Sequence, residues 1–377
     1  MSRIAVIGAG GFVGVSLIES SVLGSEAPPR AIVRNFRNMA SLCRFGSAVD
    51  LRRADAEDVS SLAEALRGAE VAVNVTTGPP AGIVRSTRTI HEACRSAGVR
   101  RFVHLSSAVV YGDVPEPIGD DAPPLSKHWM PYARAKGASE VWLRERMSQG
   151  GGPEVIVLRP GIVWGVRSSH TVDLARSLSA KTAVLVGAGS GIFNGIYIAN
   201  LVAAIRAACN LSAGTAGFYN VGDTETVTWL EFFRALGTPL GCDVERLARV
   251  SSERFPWSLA AAIDAIQNFG PVNLLYHRVK GHIPDGLKSA IRARLEGPYA
   301  YQFPANDYPL RSGISRELWH LQRVGHKLPI AKFARSFTFT PPVFFQEGIR
   351  RSLGWLASLR SAAGPRTLER LGTLHGN

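Results

Sequence analysis

Through the first two-thirds of the chain, short apolar runs alternate with longer stretches whose apolar residues recur every three or four positions. The runs Ile4–Ile7, Ala31–Val33, Val49–Arg52, Val71–Val75, Arg101–Leu105 and Val155–Leu158 predict strands. Helical spacing between them predicts helices that include Val59–Leu66, Ile83–Ala97 and Tyr132–Met147. Strand and helix in alternation specify a parallel sheet with helices on both faces. Gln149–Pro153 is a loop within this unit, because another apolar strand follows at once. From about Gly161 the rhythm loosens into Gly-, Ser- and Thr-rich loops with helices such as Ile198–Cys209. Between Arg254 and Tyr308 no strand rhythm remains. Trp257–Phe269 and the cationic Leu287–Leu295 suit amphipathic helices over a substrate cleft, with peripheral membrane or partner contact as the alternative. The expected organisation is a dinucleotide-binding α/β unit over residues 1–235, which includes parts of a smaller lobe from about 161. The rest of that mostly helical lobe and a closing helix occupy 236–360, and 361–377 form a flexible tail.

Composition narrows the class without changing this picture. The 377 residues are 46% hydrophobic, enough for one large domain and an appended lobe. A first strand at Ile4 leaves no room for a signal peptide, and no apolar run reaches transmembrane length. Cys43, Cys94, Cys209 and Cys242 are scattered without metal-ligand spacing, which suits reduced thiols in a cytoplasmic protein without a metal site. The net charge of +13 is concentrated late: residues 277–335 hold 11 Lys and Arg against 4 Asp and Glu. Such a field attracts anions of many kinds, but no nucleic-acid-binding motif accompanies it, so a nucleic-acid partner is not expected.

The first strand breaks into Gly8-Ala-Gly-Gly11-Phe-Val-Gly14, and a helical pattern follows. Gly8 permits a tight turn, Gly11 lets phosphates approach the backbone, and Gly14 lets helix and strand pack closely. The free amides and positive dipole end of the new helix then suit a pyrophosphate. A glycine triplet alone is commonplace. Placed between a strand and a helix, it points to a dinucleotide.

Tyr132-Ala-Arg-Ala-Lys136 opens the Tyr132–Met147 helix, and a four-residue step puts both side chains on one face. A tyrosine serves as acid or base once its pKa of about 10 is brought down, and a nearby ammonium favours the phenolate. Ser107 follows the strand Arg101–Leu105, at the carboxyl edge where open α/β sheets bind ligands. Separately, each is an ordinary surface or turn residue.

Together these segments resemble the extended short-chain dehydrogenases/reductases, the group that includes the NAD(P)-dependent sugar epimerases and dehydratases. The resemblance rests on Gly8-x-x-Gly11-x-x-Gly14, Asp55, Ser107 four residues before Tyr111, Tyr132-x-x-x-Lys136, Leu158–Gly165 and, loosely, the closing segment Pro341–Trp355. It implies a Rossmann-type doubly wound sheet. It also implies Tyr132 as acid/base, Lys136 lowering its pKa and binding the nicotinamide ribose, and Ser107 polarising the substrate oxygen. Asp55 would meet the adenine amino group, Phe12 and Val13 would give backbone amides to the pyrophosphate, Pro160–Val163 (Ile162 and Val163 included) would form a loop holding the carboxamide, and a homodimer would form through the Tyr132 and Ile83–Ala97 helices.

Departures from the family pattern weigh on function. Arg34 and Arg37 follow the second strand where an NAD-selective member carries an acid, so NADP(H) is expected over NAD(H), with an Arg34 that stacks on adenine and accepts both as the alternative. Ala108 and Val109 stand where dehydratases carry their acidic pair, which argues against water elimination. Gly161 and Phe193-Asn194 depart from nucleotide-sugar epimerases, and Asn74 replaces a common His. The expected activity is hydride transfer between a nicotinamide cofactor and a secondary alcohol or ketone of a polar, sugar-like small molecule. A nucleotide-sugar epimerase and a non-catalytic cofactor sensor are the alternatives.

Overall fold

The computed structural model describes residues 3–24, 27–36, 39–112, 116–212, 214–256 and 313–363. Arg37, the segments Trp257–Phe269 and Leu287–Leu295, and the tail after Gly364 lie outside the described residues.

Seven parallel strands make the main sheet: β1 (Ile4–Ile7), β2 (Arg30–Val33), β3 (Asp50–Arg53), β4 (Val71–Asn74), β5 (Arg101–Leu105), β6 (Glu154–Pro160) and a last strand, Gly217–Val221. Their order is β3-β2-β1-β4-β5-β6 and then Gly217–Val221. The first connections are helical: α1 (Phe12–Leu23), the single-turn α2 (Ala40–Cys43), α3 (Val59–Leu66), α4 (Pro80–Ser96) and α5 (Pro131–Gln149). Strand alternation sends Val6 and Val73 into a core shared with Leu17 and Ile18 of α1. Ala5, Ile7 and Phe102 face the opposite core, with Leu62 of α3, Ile90 of α4 and Leu143 of α5. The chain order reverses between β1 and β4, the position where open α/β sheets leave a ligand crevice.

Beyond β6 the chain builds a second, smaller layer. β7 (Ile162–Trp164) pairs with β9 (Gly195–Tyr197), and β8 (Val184–Val186) pairs with β11 (Ala248–Val250). Gly217–Val221 is β10, and the helices are α6 (Ser169–Ser179), α7 (Ile198–Cys209), α8 (Trp229–Gly237), α9 (Arg316–Arg323), α10 (Ala331–Phe337) and α11 (Phe345–Ala363). Helix α7 returns to the main sheet beside α1. An aromatic cluster centres this layer: Phe193 stacks on Phe232 at 3.9 Å, and Trp164 meets Tyr197, Phe232 and Phe345. The segment entering α11 is held by Asn200, whose amide nitrogen donates to Asp223 (2.7 Å) and to the Val343 carbonyl (2.8 Å), while its oxygen accepts from Val343 N (2.9 Å).

One charged pair lies wholly inside the first unit. Glu140 of α5 and Arg159 of β6 are both 0% exposed, with Arg159 Nη2 2.5 Å from Glu140 Oε2. Glu140 also accepts from the Ser106 hydroxyl at 2.5 Å, and Arg159 donates to the Tyr111 hydroxyl (2.6 Å) and the Asp120 carbonyl (2.8 Å). Tyr111 in turn donates to Asn220 in the middle of β10 (2.7 Å). This network ties α5, β6, β10 and the loop after β5 together.

Two expectations follow. Glu140→Leu should lower unfolding free energy by about 3–5 kcal/mol, because it strands a buried guanidinium. Adding Arg159→Met should cost less than the sum of the two single changes in urea titrations. Asn200→Ala should cost about 2–4 kcal/mol by the same measurement, since Asp223 and both polar groups of Val343 lose a partner inside the core.

Candidate active site

Backbone register brings the candidate residues to one edge. Ile7 of β1 pairs with Asn74 of β4, Asn74 with His104 of β5, and His104 with Val157 of β6. The chain therefore leaves β1 and β5 at the same edge, on either side of β4: Gly8 enters the glycine turn, and Ser106 and Ser107 follow Leu105.

Each glycine of the turn has a distinct reason. Gly8 has φ +88°, and a Cβ there would stand 3.1 Å from Thr76. A Cβ on Gly14 would collide with the Gly8 carbonyl and lie 2.7 Å from Ala9 Cα, so close packing of α1 on the turn requires glycine. At Gly11 a Cβ would touch only the Gly8 carbonyl at 3.4 Å, an ordinary contact. The protein itself leaves Gly11 free of steric demand, as a backbone approached by a ligand would be. Helix α1 begins at Phe12 and Val13 with no side-chain cap and no acid in its first turn, so its amide end is open to an anion. These features fit a dinucleotide pyrophosphate.

Further along the edge, a cavity of about 500 Å³ lies beyond β2 and β3, lined by Arg34, Asn35, Arg53, Asp55, Asp58 and Ser61. Asp55 Oδ1 accepts from Glu57 N (3.0 Å), and Asp58 caps α3 through Ser61 N (3.1 Å). Arg34 and Asp55 thus share one cavity, as a common adenosine site requires. Arg53, the last residue of β3 and two residues before Asp55, carries no motif that marks it in the sequence.

Ser107 caps the short turn Ala108–Tyr111, its hydroxyl accepting from Val109 N at 3.3 Å. Tyr132 and Lys136 occupy the first turns of α5, with the Lys136 ammonium 5.9 Å from the Tyr132 ring centre. Lys136 is 2% exposed and donates to the Leu105 carbonyl at 2.8 Å, which ties α5 to the end of β5. The Tyr132 hydroxyl has no hydrogen-bond partner among the described residues and its ring is half-buried, so the phenol is available to a ligand.

The electrostatics correct one expectation. Burial, helped by the Glu317 carboxylate on α9, pushes the Tyr132 phenol up to about 12. Lys136 does not offset that rise in the chain alone. Burial also draws the Lys136 ammonium down to about 8, against the opposing pull of Glu140. Beneath it, His104 is held well below the usual imidazole range by burial and then by Lys136. Asn74 accepts from Thr76 N (3.0 Å) and Thr76 Oγ1 (2.7 Å), so its amide nitrogen faces His104 Nδ1 at 3.0 Å. Its amide thus organises the turn beside Gly8 and fixes the His104 tautomer with the proton on Nε2.

A second correction concerns Pro160, Ile162 and Val163. They are not a loop: Pro160 ends β6, and Ile162 and Val163 belong to β7, paired to β9. Gly161 joins the two strands under the Asn194 carbonyl, which accepts from Ile162 N at 2.9 Å and would collide with any Cβ. Asn194 itself is committed: its side chain donates to the His326 carbonyl (2.9 Å) and accepts from Leu328 N (2.7 Å). Phe193 is buried in the aromatic cluster.

Comparison with known proteins agrees with this geometry. The NAD(P)H-binding family matches residues 8–163. A dTDP-glucose 4,6-dehydratase of Streptomyces niveus is 28% identical over 182 residues, 42% of this chain and 52% of that enzyme, so the chain spans about half the length of that relative. The 3beta-hydroxysteroid-dehydrogenase/decarboxylase isoform 1 of Arabidopsis thaliana is 24% identical over 339 residues, 83% of this chain and 68% of that protein. In fold, the chain is similar to the UDP-glucuronic acid 4-epimerase of Bacillus cereus solved with NAD, with TM-score 0.64 and 16% identity over 95% of this chain and 99% of that one. Residues 8–163 thus form an NAD(P)H-binding domain, and the chain is similar in sequence to these dehydratase and dehydrogenase relatives and in fold to the epimerase.

Proposed function

We propose that the protein is an NADP(H)-preferring reductase/dehydrogenase acting on a secondary alcohol or ketone of a polar, sugar-like molecule. The observation that carries this reading is the arrival of Ser107, Tyr132 and Lys136 at the sheet edge that holds the open glycine turn. When bound there, a nicotinamide supplies or accepts the hydride. Tyr132 holds a proton at neutral pH and has no acceptor for it among the described residues, so it acts as the acid that protonates a substrate oxygen during reduction. Ser107 orients that oxygen. Lys136 presents a positive charge beside the phenol and reaches the cofactor ribose, anchored meanwhile by the Leu105 carbonyl. Asp55 meets the adenine amino group, and Phe12 and Val13 give backbone amides to the pyrophosphate. Arg34 favours NADP(H), and Pro160, Ile162 and Val163 flank the nicotinamide end.

Nucleotide-sugar epimerisation by the same three residues is the second reading, favoured by structural relatives such as a UDP-glucose 4-epimerase of Thermotoga maritima solved with UDP-glucose. The commitments of Gly161 and Asn194 to backbone contacts speak for the first. Water elimination by the dehydratase route would need acids other than Ala108 and Val109. A homodimer fits the packed α4–α5 pair, whose outer face includes the 46% exposed Val141. No helix among the described residues is long and apolar enough to cross a membrane.

Tyr132→Phe should reduce turnover of carbonyl substrates by about 10²–10⁴-fold while leaving NADPH affinity within a factor of about three. Turnover above a tenth of the parent rate would remove Tyr132 from the chemistry. Cofactor that stays bound through purification, with no net NADPH consumption, would select the epimerase reading.

Lys136 gives a pH signature independent of substrate. Its folded pKa of about 8 lies below the unfolded 10.5, so between these values the unfolded chain binds more protons. Stability should therefore rise from pH 8 towards pH 10 relative to a Lys136→Met variant, as urea midpoints at each pH would show. Parallel curves would mean that the ammonium is not buried.

A further inference from the structure

The cavity at the ends of β2 and β3 contains charges of both signs in an arrangement that a single ligand can satisfy. Other arginines of this region have internal partners. Arg30 donates to Asp50 (2.8 Å) and to the Ala65 and Arg67 carbonyls, Arg52 pairs with Asp50 (2.7 Å), and Arg44 pairs with Glu19 (2.7 Å). Arg34 and Arg53 have neither a hydrogen bond nor an ion pair among the described residues, and both line the cavity. They leave adjacent parallel strands almost level: Arg53 is in register with Val33, the residue before Arg34, and Ala54 N donates to the Val33 carbonyl at 3.0 Å. Both guanidinium groups border one cavity without an ion pair among the described residues, and an anion bound between them would attract both.

The acidic residues do not fill this role. Asp55 and Asp58 line the same cavity, but one oxygen of each is engaged by the loop backbone, by Glu57 N and Ser61 N. Their remaining acceptors suit a hydrogen-bond donor such as an exocyclic amino group. An adenosine 2′-phosphate supplies both needs: a donor on the base, and a phosphate of charge about −1.5 to −2 on the ribose. The unphosphorylated adenosine of NAD(H) supplies only the first.

We infer that Arg53, together with Arg34, clamps the 2′-phosphate and sets the preference for NADP(H). The inference rests on the dinucleotide and NADP(H) reading given above, and assigns the selectivity to a residue on β3. The first arginine approaches from the β2 loop and the second from the neighbouring strand, so the phosphate is held from two directions rather than by one mobile side chain.

The test is equilibrium binding rather than turnover. Affinities of NADPH, NADH, 2′-AMP and 5′-AMP are measured by calorimetry for the parent protein, Arg34→Gln, Arg53→Gln and the double variant. Arg53 is exposed at a strand end without internal bonds, so Arg53→Gln should melt at the parent temperature. It should weaken NADPH and 2′-AMP by about 10- to 100-fold and leave NADH and 5′-AMP within about threefold. The slope of NADPH affinity against salt should also flatten. An unchanged NADPH/NADH ratio in Arg53→Gln, with a lowered ratio in Arg34→Gln, would overturn the role of Arg53 while sparing the NADP(H) reading. Equal losses for both cofactors would assign Arg53 to the adenine or to the fold, and also overturn it. A parent protein that binds NADH as tightly as NADPH would fail the NADP(H) reading itself, and the inference with it.

Discussion

Burying a carboxylate and a guanidinium together costs several kcal/mol per ion in lost hydration, and their attraction repays it only when every remaining polar site is satisfied. Glu140 and Arg159 meet that condition. The carboxylate takes Ser106 as well as Arg159, and the guanidinium takes Tyr111 and the carbonyls of Asp120 and Ala122. Satisfying these bonds fixes where four pieces of chain lie. Ser106 precedes Ser107, Glu140 stands one helical turn after Lys136, and Tyr111 ends the turn that Ser107 caps. Of the three residues assigned to chemistry, Lys136 lies one helical turn and Tyr132 about two turns before Glu140, and Ser107 follows Ser106, a partner of the buried pair. An apolar replacement of similar volume would hold α5 against the sheet equally well, but would not specify the loop after β5.

Glycine and arginine divide the work at the opposite end of the edge. Close packing of α1 demands Gly14, the turn demands Gly8, and neither demand involves a ligand. Gly11 differs because no protein atom requires it. Arg34 and Arg53 are the charged counterpart of Gly11: groups whose side chains have no partner among the described residues. Positions that folding does not explain are where ligand recognition is best sought.

How much of this was legible in the sequence varies with the physical signal. β1, β5, α3 and α7 carry the bounds that periodicity predicts, because apolar pattern and tertiary burial coincide there. β10 was not predicted: Asn220 interrupts its apolar run, and only the folded chain shows that Tyr111 and Asp120 satisfy that asparagine. β7, β8, β9 and β11 are three residues each, too short for a period to register. Glu140 and Arg159 read locally as surface charges, and their burial depends on a pairing across 19 residues. At the site, motif spacing picked out Ser107, Tyr132, Lys136 and Asp55, which the fold brings to one edge of the sheet. It misjudged Pro160–Val163, because the strand pairing with β9 comes from a distant segment. It gave no weight to Arg53, whose significance lies in sharing a cavity with Arg34.

Tyr132 also depends on the second layer. Helix α9 meets the loop before α5 through Trp129, on which His320 lies at 5.4 Å and the Arg316 guanidinium at 4.7 Å. Glu317 sits between those two residues in sequence and acts on the Tyr132 phenol. The tyrosine is therefore raised first by burial and then by the anion at Glu317, from the smaller lobe. Movement of α9 relative to α5 would change the second influence. Part of the proton affinity of the phenol is then a property of how α9 sits against α5, the larger part being set by burial.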